Sequence, residues 1–228
     1  MKIALVRVLA GLIVLSFSAA PFLFASTADE ALLTAIDKDR YADFKQALAD
    51  GANIHTQDHY RGTALIRASA MGRVLMVRTL LQNGAETNAV DFGGRTALIL
   101  ASWNGHLNVV KALLEAKADP NIHDGEGVTA LMHAADNGHV WVIKALLANQ
   151  EIQVNAEDGL GGTALTHAAA SGNLPCVQAL VDRGADINVR VKGGWTALIT
   201  SAWSGQTDIL ALLVQKDGDI HARDDFEG

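Results

Sequence analysis

The chain has 228 residues, half of them hydrophobic and 19% charged, with a formal net charge of −7. This balance excludes a disordered polyelectrolyte and suits an ordered domain. The acidity disfavours nucleic acid, whose phosphates it would repel. A single cysteine, Cys176, excludes an internal disulfide.

In chain order, Lys2 and Arg7 precede an uncharged apolar run over residues 8–25. A basic end, an apolar middle and a small-residue exit are the order of a secretory signal, so residues 1–25 are expected to direct export. Cleavage after Ala25 and cleavage after Ala28 both satisfy the small-residue rule. A run of about 18 residues is also near the lower limit for spanning a bilayer, and membrane attachment is expected only if this segment is kept as an anchor. Pro21 within the run favours cleavage. Loss of Lys2 and Arg7 would deepen the net charge from −7 to about −9. Export without disulfides makes a bacterial periplasm the expected compartment.

The expected ordered domain covers 29–228. Its first unit, 29–58, carries Asp29, Glu30, Asp37, Lys38, Asp39 and Arg40, the polar character an end cap needs. Beyond it, Thr-Ala-Leu recurs at Thr63, Thr96, Thr129, Thr163 and Thr196, and spacings near 33 residues are the mark of a solenoid. Five residues after each Thr stands a small residue (Ala68, Ala101, Ala134, Ala168, Ser201), and nine after it a glycine (Gly72, Gly105, Gly138, Gly172, Gly205). This predicts a short helix capped by the Thr hydroxyl and closed by glycine in the left-handed conformation. A second amphipathic run follows each glycine, as in 109–114 and 142–147, so each unit holds two helices. Asp91-Phe92-Gly93-Gly94 and Asp124-Gly125-Glu126-Gly127 are turn sequences leading back to the next Thr. Asp224-Asp225-Phe226-Glu227-Gly228 reads as the turn that opens a further unit.

These motifs, with Gly84-Ala85-Glu86-Thr87-Asn88 and Gly184-Ala185-Asp186-Ile187-Asn188, resemble the ankyrin family across essentially the whole mature chain. The resemblance implies an all-α solenoid of about six helix-turn-helix repeats that binds another protein, with no cofactor. Alanine replaces the family's proline after Thr at Ala64, Ala97, Ala130, Ala164 and Ala197. Ile66, Ile99, Met132, Thr166 and Ile199 replace its histidine, which implies that a polar network of the family gives way here to apolar packing. Lys117, Gln150 and Asp217 stand where the second helix should end in glycine, at a cost of about 1 kcal/mol each if the left-handed geometry is kept. The extra residue near Gln150 is expected to relieve that strain in the middle repeat.

Eight histidines raise a metal-handling or enzymatic alternative that uses them with the acidic turns. His55 and His59 have ligand-like spacing but lie in a turn sequence. His133 and His167 fall one repeat apart, about 10 Å by helix-packing distances, too far to share a metal. Cys176 occupies an aliphatic position of a second helix and reads as a small core residue. The paired glycines are in phase with the repeat and read as turn chemistry, so no catalytic residue and no metal site is expected.

The resemblance implies binding through the turn tips and the ends of the first helices, on the concave face. The tips carry His59, Tyr60, Phe92, Arg95, Glu126, Leu160, Lys192 and Trp195. The helix ends carry Met71, Trp103, Asn104, Asp136, Asn137 and Trp203. Of these, Tyr60, Phe92, Arg95, Trp103, Asp136, Leu160, Trp195 and Trp203 are the expected contact residues, since Trp, Tyr and Arg are favoured at binding hot spots. Trp141, on a second helix, is left outside this set. The expected partner is another exported protein, such as one that the chain adapts, inhibits or protects.

Overall fold

The computed structural model describes residues 27–225. The expected signal segment and residues 226–228 lie outside them. Twelve helices follow one another within that span: α1 (Thr27–Asp37), α2 (Tyr41–Ala49), α3 (Ala64–Ala70), α4 (Val74–Gln82), α5 (Ala97–Trp103), α6 (Leu107–Glu115), α7 (Ala130–Asp136), α8 (Val140–Leu147), α9 (Ala164–Ala170), α10 (Leu174–Asp182), α11 (Ala197–Trp203) and α12 (Thr207–Gln215). Cleavage after Ala25 would leave α1 whole, whereas cleavage after Ala28 would remove its first two residues.

Each of the five Thr-Ala-Leu motifs starts a helix in the same way. The Thr hydroxyl accepts from the amide three residues on, at 3.2–3.5 Å for Ile66, Ile99, Met132, Thr166 and Ile199. This satisfies one of the free donors of the first turn. The Ala that replaces the family's proline is fully or almost fully buried in every repeat.

Three turns would be too long, and the helix is closed after two by a glycine with φ of 68–74°. The glycine also makes room: a Cβ on Gly105 would come within 2.7 Å of the His139 ring. That ring starts the next repeat's second helix and donates from Nε2 to the Trp103 carbonyl at 3.0 Å, while His106 does the same to Ala70 at 3.0 Å. One residue therefore both turns the chain and lets a neighbouring repeat lock onto it.

The helices stack in two rows. First helices α3, α5, α7, α9 and α11 form one row, and α4, α6, α8, α10 and α12 form the other. Ala64, Ala68, Ala97, Ala101, Ala130, Ala134, Ala135, Ala168 and Ala169 are buried in the first row, whereas the second row buries Val77, Leu80, Val110, Leu113, Ile143, Leu146 and Leu180. Small side chains let successive first helices pack closely on one another.

At the far end of the second helix the replacements for glycine behave differently from one another. Lys117 and Asp217 both take φ of 63°, so each carries the strain of a left-handed non-glycine residue. Gln150 does not. There α8 ends at Leu147 and the extra residue lets a looser turn complete the repeat.

The apolar replacements Ile66, Ile99 and Met132 are buried, yet polar order has not been lost. A different network recurs. The aspartate that opens each of the first four turns, Asp58, Asp91, Asp124 and Asp158, accepts two backbone amides of its own turn through Oδ1 at 2.8–3.0 Å. Its Oδ2 then holds a cationic or imidazole side chain: Arg67 at 3.1 Å, Arg95 at 2.9 Å, His133 at 2.9 Å and His167 at 2.9 Å. Val191 stands at the fifth position and breaks the series.

The last repeat is less well buried than its neighbours. Leu198 and Ile199 are only half-buried where Leu98, Ile99, Leu131 and Met132 are fully covered, and Ala202 is exposed where Ala135 and Ala169 are not. Among the described residues this unit packs against one neighbour, α9 and α10, and so has half the interface of an interior unit. Amide hydrogen exchange should therefore be faster over residues 209–214 than over 142–147, and equal or slower exchange there would contradict this account.

Candidate functional site

The turn tips are joined into one ribbon. Phe92 N donates to Tyr60 O, Gly125 N to Gly93 O, Gly159 N to Glu126 O, Lys192 N to Leu160 O and Asp225 N to Gly193 O, all at 2.8–3.0 Å. The turn aspartates hold the first four tips in shape from inside. The side chains beyond them are consequently free of structural duty and displayed in a row.

Tyr60 (62% exposed), Phe92 (68%) and Leu160 (62%) project from this row. Glu126 and Lys192 are exposed at the third and fifth tips. Arg95 is half-buried and its guanidinium is committed to Asp91, with Nη2 2.7 Å from Oδ2. It shapes its own tip.

The helix ends divide in the same manner. Trp203 is 80% exposed and meets the half-buried Trp195 edge-on, with ring centroids 5.8 Å apart. Trp103 is 36% exposed and lies flat on the His133 ring, 4.5 Å centroid to centroid and 13° between planes. It is thus partly an inter-repeat packing residue. Met71 is exposed, while Asn104 and Asn137 turn back to cap their own helices on Leu100 O and His133 O.

Asp136 is half-buried, 3.9 Å from Nδ1 of His167. With Asp158 at 2.9 Å on Nε2, it brackets that imidazole between two carboxylates. Burial opposes charging of His167, but Asp136 and Asp158 outweigh it and raise its pKa above the ordinary value. Burial likewise works against the Asp158 anion, and the bonds from His167, Gly162 and Leu160 more than offset it, leaving that carboxyl below its usual range.

Tyr60, Arg67, Met71, Asp91 and Arg95 line a cavity of about 260 Å³ between the first two Thr-Ala-Leu repeats, floored by Ile66, Ala70 and Leu100. Sequence reasoning placed Tyr60 and Arg95 on this face but had no signal for the cavity itself, which needs Leu100 where Arg67, His133 and His167 stand in other repeats. It also set aside Trp141, whose ring is 66% exposed on α8 with the Lys144 ammonium 4.9 Å above it. An exposed tryptophan at the second position of an amphipathic helix cannot be told from a buried one by periodicity.

Cys176 is fully buried and burial pushes its thiol up to about 11, which makes it a poor nucleophile. Among the described residues no group of three or more His, Cys, Asp or Glu side chains is placed to hold a metal ion. Nor is any helix among them long and apolar enough to cross a membrane.

The comparison with known proteins places these features. The ankyrin-repeat family model matches in three copies, over residues 32–124, 93–158 and 131–224. The chain belongs to the ankyrin-repeat family. No curated protein matches the chain. Among solved structures, the ankyrin repeat domain of human ASB11 superposes with a TM-score of 0.79 at 26% identity, covering 86% of this chain and 88% of that one. As many as 556 solved chains match, so the architecture by itself singles out no partner. Ankyrin repeats are protein-binding scaffolds, and this chain is a protein–protein interaction module of that kind.

The bracketed histidine gives the stack a pH response with a defined sign. A pKa raised on folding adds stability that is fully present below the unfolded value, near 6.5, and is lost as pH rises through the folded value. Replacing His167 with Gln should thus cost more stability at about pH 5.5 than at about pH 8.5, read by urea unfolding at both. A pH-independent cost would remove Asp136 and Asp158 as the cause.

Proposed function

We propose that this ankyrin-repeat protein is a periplasmic adaptor, inhibitor or protective factor that holds another exported protein against its first-helix row and turn tips. The observation that carries the reading is the alignment of Tyr60, Phe92, Leu160 and Trp203, all strongly exposed, along one face of a rigid stack. Large apolar side chains in such a row cost solubility and are characteristic of recognition surfaces. The N-terminal run of residues 8–25 supports export, and with it an exported partner.

Within this surface the residues do different work. Trp203, Tyr60, Phe92 and Leu160 contribute contact area. Trp195 supports Trp203 from the side, Trp103 contributes one edge while its face packs on His133, and Arg95 and Asp136 hold the frame beneath. Recognition by rigid aromatic side chains needs little loss of conformational entropy, because the tips are already fixed by their hydrogen bonds.

Capture from periplasmic extract, followed by affinity and unfolding measurements on variants, tests the proposal. Trp203→Ala should weaken binding of the captured protein by about 2 kcal/mol or more, with a change in stability within about 0.5 kcal/mol. Trp103→Ala should reduce both, since it also removes the stack on His133. Unchanged affinity in Trp203→Ala and in a Tyr60→Ala, Leu160→Ala double variant would move the binding face elsewhere.

A further inference from the structure

Arg61 occupies a backbone position that the other repeats reserve for glycine. Its φ is 60°, and the matching residues Gly94, Gly127, Gly161 and Gly194 have φ of 75–83°. A side chain there costs about 1 kcal/mol relative to glycine and gives nothing to the turn's geometry, which glycine satisfies equally in four repeats. Asp39, Lys117 and Asp217 show that this fold tolerates such strain. Yet Asp39 closes α1 and is paired with Arg73 at 2.8 Å, Lys117 and Asp217 end second helices, and none of the three stands in a turn tip. Arg61 does, between Tyr60 and Gly62, both of which line the 260 Å³ cavity.

Its charge is also differently placed from those around it. Arg67 is held by Asp37 and Asp58, and Arg95 by Asp91, so both guanidiniums that line the cavity are already engaged by carboxylates. Among the described residues no carboxylate pairs with Arg61. Its guanidinium instead lies 5.9 Å from the centre of the exposed Phe92 ring. The local surface thus joins an apolar recess, floored by Ile66, Ala70 and Leu100, to one guanidinium that rests on an aromatic ring without an ion-pair partner.

We infer that this corner is a specificity subsite for an extended segment of the partner in which a large apolar residue, seated between Tyr60 and Met71, adjoins an acidic residue that pairs with Arg61. The inference rests on the proposed use of the first-helix face and specifies which sequence its N-terminal end selects. Charge complementarity decides the acidic flank: of the three guanidiniums at this corner, Arg67 and Arg95 are already engaged by carboxylates and Arg61 is the one left to pair with an incoming acidic side chain. A basic segment would meet Arg61 unfavourably.

The test uses mature protein and fluorescein-labelled twelve-residue peptides, Gly/Ser-rich, with a central Leu or Phe flanked by either two Glu or two Lys. Fluorescence anisotropy should give at least about tenfold tighter binding of the Glu-flanked peptides, the scale of one charge-assisted hydrogen bond. Arg61→Gly should reduce that preference to below about twofold while leaving thermal stability unchanged or raised, because glycine suits the backbone. Tyr60→Ala should weaken binding of both Glu-flanked peptides. Equal affinity for Glu- and Lys-flanked peptides, no binding up to about 1 mM, or an Arg61→Gly protein that keeps the preference would each overturn the subsite. The wider reading fails separately: a captured partner lost in Trp203→Ala but retained in Arg61→Gly leaves the face and removes only the subsite.

Discussion

Neighbouring first helices can come no closer than the side chains between them permit, and alanine at nearly every facing position sets that limit. The other row, built on bulkier Val, Leu and Ile, packs through larger side chains. Close spacing in the first row also sets the distance between successive turns, so that an amide of one tip reaches a carbonyl of the last at 2.8–3.0 Å. Larger side chains at Ala68 or Ala101 would separate the repeats and break the ribbon of tips together with the packing. The recognition surface is in this sense a consequence of core volume.

Closure of the first helix depends on the same spacing. Gly72, Gly105 and Gly138 must be glycine twice over, once for a left-handed backbone and once for the side chain of the following repeat that presses on them, His106, His139 and Asn173 respectively. The second-helix ends lack the second requirement. Gly84 and Gly184 have open space where a Cβ would be, and there the chain accepts Lys117 and Asp217 at the expense of backbone strain alone. Asp39, with φ of 55° at the end of α1, shows that a first-helix end also accepts that strain where Arg73 of the following repeat pairs with the side chain at 2.8 Å.

Periodicity made the helices, their caps and their closing residues readable, because each depends on contacts within about ten residues. The turn-tip residues were readable for the opposite reason: a strict repeat identifies its own exceptions, and Tyr60, Phe92, Leu160 and Trp203 stand out as large side chains in unconstrained slots. What the pattern hid were pairings that alternate between chemically different residues. Arg67, His133 and His167 share one slot and one kind of partner, yet Leu100 and Thr200 fill that slot in the other repeats, so the Asp-centred network was replaced in expectation by apolar packing. Trp103 was placed in the same slot as Trp203, but His133 lies beneath only the first of them. Arg61 was invisible for a further reason, since the glycine it replaces is shifted within a turn that otherwise keeps its length.

Stability and recognition are consequently assigned to different atoms of the same turn. In each of the first four, the aspartate spends both oxygens inward, on two amides and one partner side chain, while the backbones of the next residues join the ribbon and their side chains point outward. Such a division explains how Tyr60, Phe92, Glu126 and Leu160 can differ in size, charge and polarity above backbones that scarcely differ. The fifth turn shows the limit of the arrangement. With Val191 in place of aspartate, its geometry comes from Val191 N to Trp195 O at 2.8 Å and from the neighbouring tips through Lys192 N and Gly193 O. There Trp195 meets Trp203 edge-on at 5.8 Å, so the outermost ring of the surface is braced by a neighbouring aromatic and still leaves most of its area exposed for contact.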